Sequence, residues 1–277
     1  MRSFLSVGCG GRERQLFIVG DSTQRQFARS FEWFVGWAKR KLGNVDACLR
    51  AQYVEANDAQ AIAGALSQAP LRAALLQGKA DSNRSAGRVP LIVIATGLHD
   101  ACYGDSLRSI ETSLSALFSS LRGARNVIWR SELTFHFHPW GKQHQELTWI
   151  PLCPFMTPSR LHHINDFALR VADEDGHPVW NTFEINKHNF LDGRDGTHVC
   201  FFSERDAIPF KNESASLETT PMPPNRQCHV FMQTLLVLIL QADRTEVANS
   251  PSPTNRPARV GRAVVAGLKS NNFTQLL

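Results

Sequence analysis

The sequence predicts an α/β protein, a three-layer sandwich in which helices cover both faces of a mainly parallel β-sheet. Short, wholly apolar runs at residues 16–19 and 90–95 are typical of strands buried on both faces. Stretches with helical spacing separate these runs, so strands alternate with helices. The chain has 277 residues, 43% hydrophobic and 20% charged, which is enough to bury a large core and too apolar for a disordered chain.

The strands are predicted from apolar runs that end at glycine or at polar residues. The first ends at Gly20 and the second at Thr96-Gly97. A third follows a predicted helix, and a fourth is a short stretch rich in bulky apolar residues. The predicted strands are 16–19, 90–95, 126–129 and 179–185.

The helices are predicted from apolar residues three or four positions apart. Phe27, Phe31 and Val35 have this spacing in the first helix, and Ile110 and Leu114 have it in the third. The second helix is predicted from its richness in alanine and leucine. The predicted helices are 22–42, 59–76, 106–121, 161–171 and 228–242.

The charge and the proline content divide the chain into a folded body, residues 1–243, and a tail, residues 244–277. Pro251, Pro253 and Pro257 interrupt the tail, which is rich in Ser, Asn and Arg and is predicted to be flexible. The tail holds five basic residues and one acidic residue, so it carries +4 of the net charge of +5. The basic balance therefore indicates no nucleic-acid-binding face on the body.

No segment reads as a membrane span or as a signal peptide. The longest apolar run, 234–240, is far below the roughly 20 residues that a span requires. The apolar patch at 4–7 is shorter than the apolar region of a signal peptide. We therefore expect either a protein that starts in the cytosol or a soluble piece of a longer protein, with no membrane anchor or membrane partner visible in this chain.

The six cysteines are compatible with two states. None forms a CxxC pair, so a zinc ribbon or a thioredoxin-type redox site is not predicted. An even number allows disulfides in an oxidising lumen, and buried free thiols are equally compatible with the sequence.

The first chemical signal is the segment Gly20-Asp21-Ser22, between the first strand and the first helix. A serine at this junction lies at the edge of the sheet, where a helix N-terminus supplies backbone N–H groups and positive potential that favour an oxyanion. The alternative is that Asp21 and Ser22 simply cap the helix, as Asp and Ser often do.

Two further signals complete a possible catalytic set. Gly97-Leu98-His99 follows the second buried strand, where glycine permits close approach of the backbone to a ligand. Asp195 lies three residues before His198, so its carboxylate can accept a hydrogen bond from the ring and leave the other nitrogen to take a proton from serine. Asp192 is a second candidate for the carboxylate, and Asp195 is preferred for its spacing.

Together, these segments resemble the SGNH hydrolase superfamily, whose first block is Gly-Asp-Ser and whose last block is Asp-x-x-His. Residues 20–26 (GDSTQRQ), 97–100 (GLHD) and 195–198 (DGTH) are similar to the PC-esterase branch, with its trichome-birefringence-like proteins, sialic-acid O-acetyltransferase domain and neurexophilin-and-PC-esterase domains. The resemblance covers about residues 14–242. It implies a flavodoxin-like SGNH fold, with 1–243 as the catalytic domain, and a secretory or Golgi location.

The resemblance also implies an activity and the residues that carry it. We expect a serine-dependent O-acyl esterase, chiefly for O-acetyl groups, or an O-acetyltransferase acting on carbohydrate hydroxyls. Ser22 is the expected nucleophile, His198 the base and Asp195 its partner. Gly97 and His99 are expected in or near the oxyanion site. The expected partner is an acylated carbohydrate, and no cofactor is expected.

Arg25 and Gly64 have less certain roles in the site, and two alternative functions are compatible with the same residues. Arg25, one turn after Ser22, can contact an anionic substrate group or be structural. The superfamily's second-block glycine has no clear counterpart, and Gly64 is a weak candidate that is left out. A lipid or thioester hydrolase on the same triad and a catalytically silent glycan-binding module are the alternatives.

Histidines and tryptophans after the third strand supply two further expectations. His136 and His138 are two positions apart, so on a strand they would project to the same face, as metal ligands sometimes do. No Cys or carboxylate stands nearby at the spacing of a further ligand, so no metal site is predicted. We expect this segment to form a wall of the substrate cleft instead. Trp140 and Trp149 are candidates for stacking on a sugar.

Overall fold

The structure is a computed structural model that describes residues 14–42, 49–80, 89–103, 106–132 and 153–186, together with the four helical residues Thr234, Leu235, Leu238 and Ile239. The strands are β1 (Arg14–Gly20), β2 (Leu49–Glu55), β3 (Leu91–Ile94), β4 (Val127–Arg130) and β5 (Val179–Trp180). The helices are α1 (Ser22–Leu42), α2 (Ala59–Leu66), α3 (Leu71–Ala80), α4 (Leu98–Cys102), α5 (Leu107–Leu121), α6 (Pro158–Glu174) and α7 (Thr182–Asn186).

The five strands form one sheet in the order β2-β1-β3-β4-β5, and every pair is parallel. β1 pairs with β2 over its whole length, from Arg14 opposite Leu49 to Gly20 opposite Glu55. It also pairs with β3, where Val19 lies opposite Ile94. The carboxyl ends of β1, β2 and β3 therefore lie at the same edge of the sheet.

Helices pack on both faces of this sheet, so the predicted three-layer α/β sandwich is confirmed. Side chains of β1 alternate between the faces because the side-chain period of a strand is two. Phe17 and Val19 pack with the helices α2, α3, α5 and α6. Leu16 and Ile18 pack with α1 and with Leu235 of the C-terminal helical residues.

The strand β2 was missed by sequence reasoning because it is an edge strand. It pairs only with β1 among the described strands, and it alternates the exposed residues Arg50 and Gln52 with buried Ala51 and half-buried Tyr53. A search for wholly apolar runs finds strands buried on both faces and overlooks one whose alternate side chains are polar.

Two predicted elements are wrong in their extent. The helix expected over 59–76 is two helices, α2 and α3, because Pro70 lies between them and cannot continue a helix without its N–H. The strand expected over 179–185 stops at Trp180. Asn181 then accepts a hydrogen bond from the N–H of Glu184 at 3.1 Å and so begins α7.

The other predicted elements agree with the structure, and some lie outside the described residues. The strands 16–19, 90–95 and 126–129 and the helices 22–42, 106–121 and 161–171 are present, with ends shifted by a few residues. Of the helix expected over 228–242, the four residues described are helical. The tail, residues 244–277, lies outside the described residues, so the proposed domain boundary stays a prediction.

Candidate active site

The strand order places one crevice at the edge of the sheet. β2 lies on one side of β1 and β3 lies on the other. The connection that follows β1 therefore leads to one side of the sheet, and the connection that follows β3 leads to the opposite side. In a 2-1-3-4-5 sheet this switch point is where ligands bind. The predicted site residues Ser22 and Gly97 follow these two strands directly.

Ser22 is the first residue of α1, and Asp21 caps the helix. The Asp21 carboxylate accepts a hydrogen bond from the N–H of Thr23 at 2.9 Å, and its carbonyl accepts one from the N–H of Arg25 at 3.1 Å. The capping alternative therefore holds for Asp21, and Ser22 is half-buried in the first turn of a 21-residue helix. The positive end of this helix lies at the Ser22 side chain.

Gly20 permits the tight turn that presents Ser22. Its φ of +154° lies where side chains are rarely tolerated. A Cβ at this position would also lie 2.6 Å from the carbonyl oxygen of Ala95 and would collide with Gln24. The turn after β1 can therefore lie against the end of β3 only with glycine at position 20.

Tyr53 of β2 holds the same turn from the other side. Its hydroxyl lies 3.0 Å from the carbonyl oxygens of both Gly20 and Asp21, and its single proton can be donated to either of them. Burial raises the pKa of the Tyr53 hydroxyl well above its usual value, and the Glu55 and Asp21 carboxylates raise it further. Sequence reasoning missed Tyr53 because it missed the strand β2.

Gly97 and His99 follow β3. Gly97 has φ +142° and caps the short helix α4. A Cβ there would lie 3.2 Å from Ile164 of α6, so the backbone passes close to that helix. His99 is half-buried, and its Nδ1 lies 3.3 Å from the hydroxyl of Tyr103, whose side chain is 63% exposed.

Asp100 links this turn to the second helix. Its carboxylate accepts a hydrogen bond from the Thr96 hydroxyl at 2.7 Å and another from the N–H of Ala59. Burial raises the pKa of the Asp100 carboxyl, and these hydrogen bonds act in the opposite direction. Gly64, the weak second-block candidate, lies on the exposed side of α2 and not at the sheet edge.

Of the remaining predicted site residues, the structure describes Arg25 and does not describe Asp195 and His198. Arg25 is half-buried one turn after Ser22, on the same helix. Asp195 and His198 lie outside the described residues, as does the rival Asp192. Ser22 and Arg25 thus follow the carboxyl end of β1, and Gly97 and His99 follow that of the neighbouring β3. The catalytic and binding roles of all the predicted site residues stay predictions.

A buried charged cluster at the end of β4, formed by Arg130 and Glu132, was not predicted. Arg130 is fully buried, with its guanidinium 5.2 Å from the ring centre of Phe27 and 5.4 Å from that of Trp180. Burial lowers the pKa of Arg130, while Glu132 and Asp21 raise it. The sequence does contain a signal for this cluster, because Arg130 and Glu132 stand at the end of an apolar strand. Charged residues are rarely buried there without a partner.

A disulfide joins Cys102, at the end of α4, to Cys153, which precedes α6. Both residues are buried. For these two cysteines the disulfide alternative is confirmed. The other four cysteines lie outside the described residues.

The described residues contain neither a metal-binding cluster nor a membrane-spanning helix. No group of three or more His, Cys, Asp and Glu residues there is arranged to hold a metal ion. None of the described helices is long and apolar enough to cross a membrane. His136, His138, Trp140 and Trp149 lie in the part of the chain that the structure does not describe.

Comparison with known proteins finds similarity at the level of the backbone. No family model matches the chain, and no curated protein matches it. A lipase/acylhydrolase from Enterococcus faecalis is similar at 14% identity with a TM-score of 0.49, over 84% of this chain and 96% of that chain. Est24, a carbohydrate acetylesterase from Sinorhizobium meliloti, is similar at 12% identity with a TM-score of 0.44, over 82% and 100%.

Proposed function

We propose that this chain is an SGNH-type serine hydrolase of the PC-esterase kind, which cleaves or transfers O-acyl groups, chiefly O-acetyl, on carbohydrate hydroxyls. One observation carries the proposal. Ser22 in the first turn of α1 and the Gly97-Leu98-His99 turn at α4 lie on the two sides of the switch point of a 2-1-3-4-5 sheet. This placement supports a site in which the proposed nucleophile and the proposed oxyanion donors face one crevice.

The proposed reaction begins at Ser22. A serine hydroxyl is a weak nucleophile and needs a base. His198 would take the hydroxyl proton as Oγ attacks the acyl carbonyl, and Asp195 would hold the ring in the required tautomer. The tetrahedral intermediate collapses as His198 returns the proton to the departing sugar oxygen. The acyl-enzyme is then cleaved by water, or by a second sugar hydroxyl, and Ser22 regains its proton.

The oxyanion of this intermediate would be stabilised at the same edge. The proposed donors are the backbone N–H of Ser22, aided by the positive end of α1, and groups of Gly97 and His99. Such donors contribute about 3 kcal/mol each to transition-state stabilisation. Arg25, one turn further along α1, is proposed to contact an anionic group of the substrate.

The disulfide favours an oxidising compartment for this reaction. Stable disulfides are rare in the cytosol and common in secreted and lumenal proteins. The buried Cys102–Cys153 bond therefore supports the proposed secretory or Golgi location, in which acylated glycoconjugates would be the partners.

A fluorophosphonate probe tests the nucleophile. We expect the purified protein to be labelled at Ser22, and Ser22→Ala to abolish labelling. Ser159→Ala, which changes an exposed serine at the start of α6, is the matched control and should label as the wild type does. His198→Ala should lower kcat by about 10⁶-fold. Unchanged labelling of Ser22→Ala would refute the assignment.

A substrate comparison tests the acyl and carbohydrate specificity. We expect turnover of acetylated xylose or acetylated sialic acid in preference to long-chain acyl esters. Preference for long-chain esters or thioesters would indicate a lipid or thioester hydrolase instead. Glycan binding without turnover of any acetyl ester would indicate a catalytically silent binding module.

A further inference from the structure

Glu132 contacts the residue next to the proposed nucleophile. Its carboxylate Oε2 lies 3.0 Å from the Thr23 hydroxyl, and the same hydroxyl lies 2.7 Å from Oδ1 of Asp21. The single hydroxyl proton can be donated to one of these carboxylates at a time. Thr23, Asp21 and Glu132 are all buried, so water does not compete strongly for these contacts.

The backbone of Glu132 is held in place by α6. Its N–H donates a hydrogen bond to Oδ1 of Asn165 at 2.8 Å, and its carbonyl accepts one from Nδ2 of Asn165 at 3.3 Å. The side-chain amide of Asn165 thus pairs with both the N–H and the carbonyl of Glu132. The position of Glu132 is therefore fixed independently of its carboxylate.

Glu132 also lies against the turn after β3. A Cβ placed on Gly97 would be 3.5 Å from the Cγ of Glu132, which is van der Waals contact. One side chain thus lies beside Gly97, in the turn that carries the proposed oxyanion donors, and contacts Thr23, the residue after Ser22.

A buried carboxylate is costly unless charge or hydrogen bonds compensate it. The buried Arg130 guanidinium supplies an opposite charge that interacts with both Glu132 and Asp21. A residue whose only task was to fill this space could be apolar and would avoid that cost. The retained carboxylate is therefore consistent with a requirement for a particular hydrogen bond at Thr23.

We propose that Glu132 is a positioning residue of the site, which acts through Thr23 to hold Ser22 at a fixed separation from Gly97. This inference rests on the proposed function. Misplacement of a nucleophile by about 1 Å can lower a rate by about 100-fold, so a bond that fixes the two turns relative to each other affects kcat more than KM.

Kinetics of three variants test the proposal. Thr23→Val removes the hydroxyl but keeps the shape, and we expect kcat for an acetyl ester to fall by about 10-fold or more with KM within about 3-fold. Thr23→Ser keeps the hydroxyl and should stay within about 3-fold of the wild type in kcat. Glu132→Ala should lower kcat as Thr23→Val does. The matched control is Glu111→Gln, on the exposed side of α5, which should leave kcat unchanged.

The double variant decides whether Glu132 acts through Thr23. We expect Glu132→Ala to lower kcat no further in the Thr23→Val background. Additive losses, or wild-type kcat in Thr23→Val, would overturn the proposal. If Glu132→Ala does not fold because Arg130 loses its counter-charge, Glu132→Asp takes its place, since it keeps the charge and withdraws the carboxylate from Thr23; a wild-type kcat in Glu132→Asp would overturn the proposal.

Stability measurements separate this proposal from the proposed function. If the wild type turns over no ester and Ser22 is not labelled, the function is refuted. Urea unfolding of Thr23→Val, Glu132→Asp and the double variant then tests the contact alone, because the shorter carboxylate is withdrawn from Thr23. Non-additive free energies of unfolding support the contact between Glu132 and Thr23, and additive ones overturn it.

Discussion

Replacing Cys102 and Cys153 by alanine removes the cross-link between α4 and the segment before α6. The two cysteines are 51 positions apart, so in the chain-entropy view the bond stabilises the fold by restricting a loop of that length in the unfolded state. A loop of this size corresponds to about 4 kcal/mol at 25 °C. For a protein of this length, with a urea m-value of about 3 kcal/mol per M, the unfolding midpoint should fall by about 1.3 M.

Urea unfolding monitored by fluorescence measures this loss without a reductant, which would also reduce any other disulfides. Each single variant, Cys102→Ala or Cys153→Ala, should lose about as much as the double variant, because either one abolishes the bond. Mass spectrometry after thiol alkylation checks that the wild-type pair is unmodified. A loss below about 1 kcal/mol, strictly additive single losses or alkylation of both thiols would refute the reasoning.

Three further predictions concern residues around the switch point. Gly97→Ala places a Cβ 3.2 Å from Ile164 at a φ of +142°, so we expect a loss of at least about 1 kcal/mol in urea unfolding, and wild-type stability would contradict it. Tyr53→Phe removes the hydroxyl that donates a hydrogen bond to the turn before Ser22. The free energy of unfolding should fall by about 1 kcal/mol, and fluorophosphonate labelling of Ser22 should slow because the turn is held less firmly. An unchanged labelling rate would contradict the role of Tyr53 in holding this turn. Burial raises the pKa of the Asp100 carboxyl in the folded protein above its value in the unfolded chain. The free energy of unfolding of the wild type should therefore fall as the pH rises from the unfolded-state pKa through the folded-state pKa, whereas that of Asp100→Asn should not. Equal pH dependence of the urea midpoints of the two proteins would contradict this prediction.

The elements that the sequence predicted correctly are those whose residues determine them locally. Residues 16–19 and 91–94 are apolar throughout because both faces of each strand are covered, and this pattern is visible without a partner. The edge strand β2 has no such pattern, since its polar side chains face outward. The division of residues 59–80 into two helices follows from Pro70, which is visible in the sequence but was outweighed by the alanine-rich composition around it.

For the candidate site, the sequence by itself identified the turns at Gly20-Asp21-Ser22 and Gly97-Leu98-His99, because each follows an apolar strand and contains glycine. It could not place these turns side by side, since that depends on β1 and β3 pairing across the switch point. Long-range contacts decided the rest. Tyr53 and Glu132 are separated from the Ser22 turn by about 30 and 110 positions and reach it only after the sheet has formed.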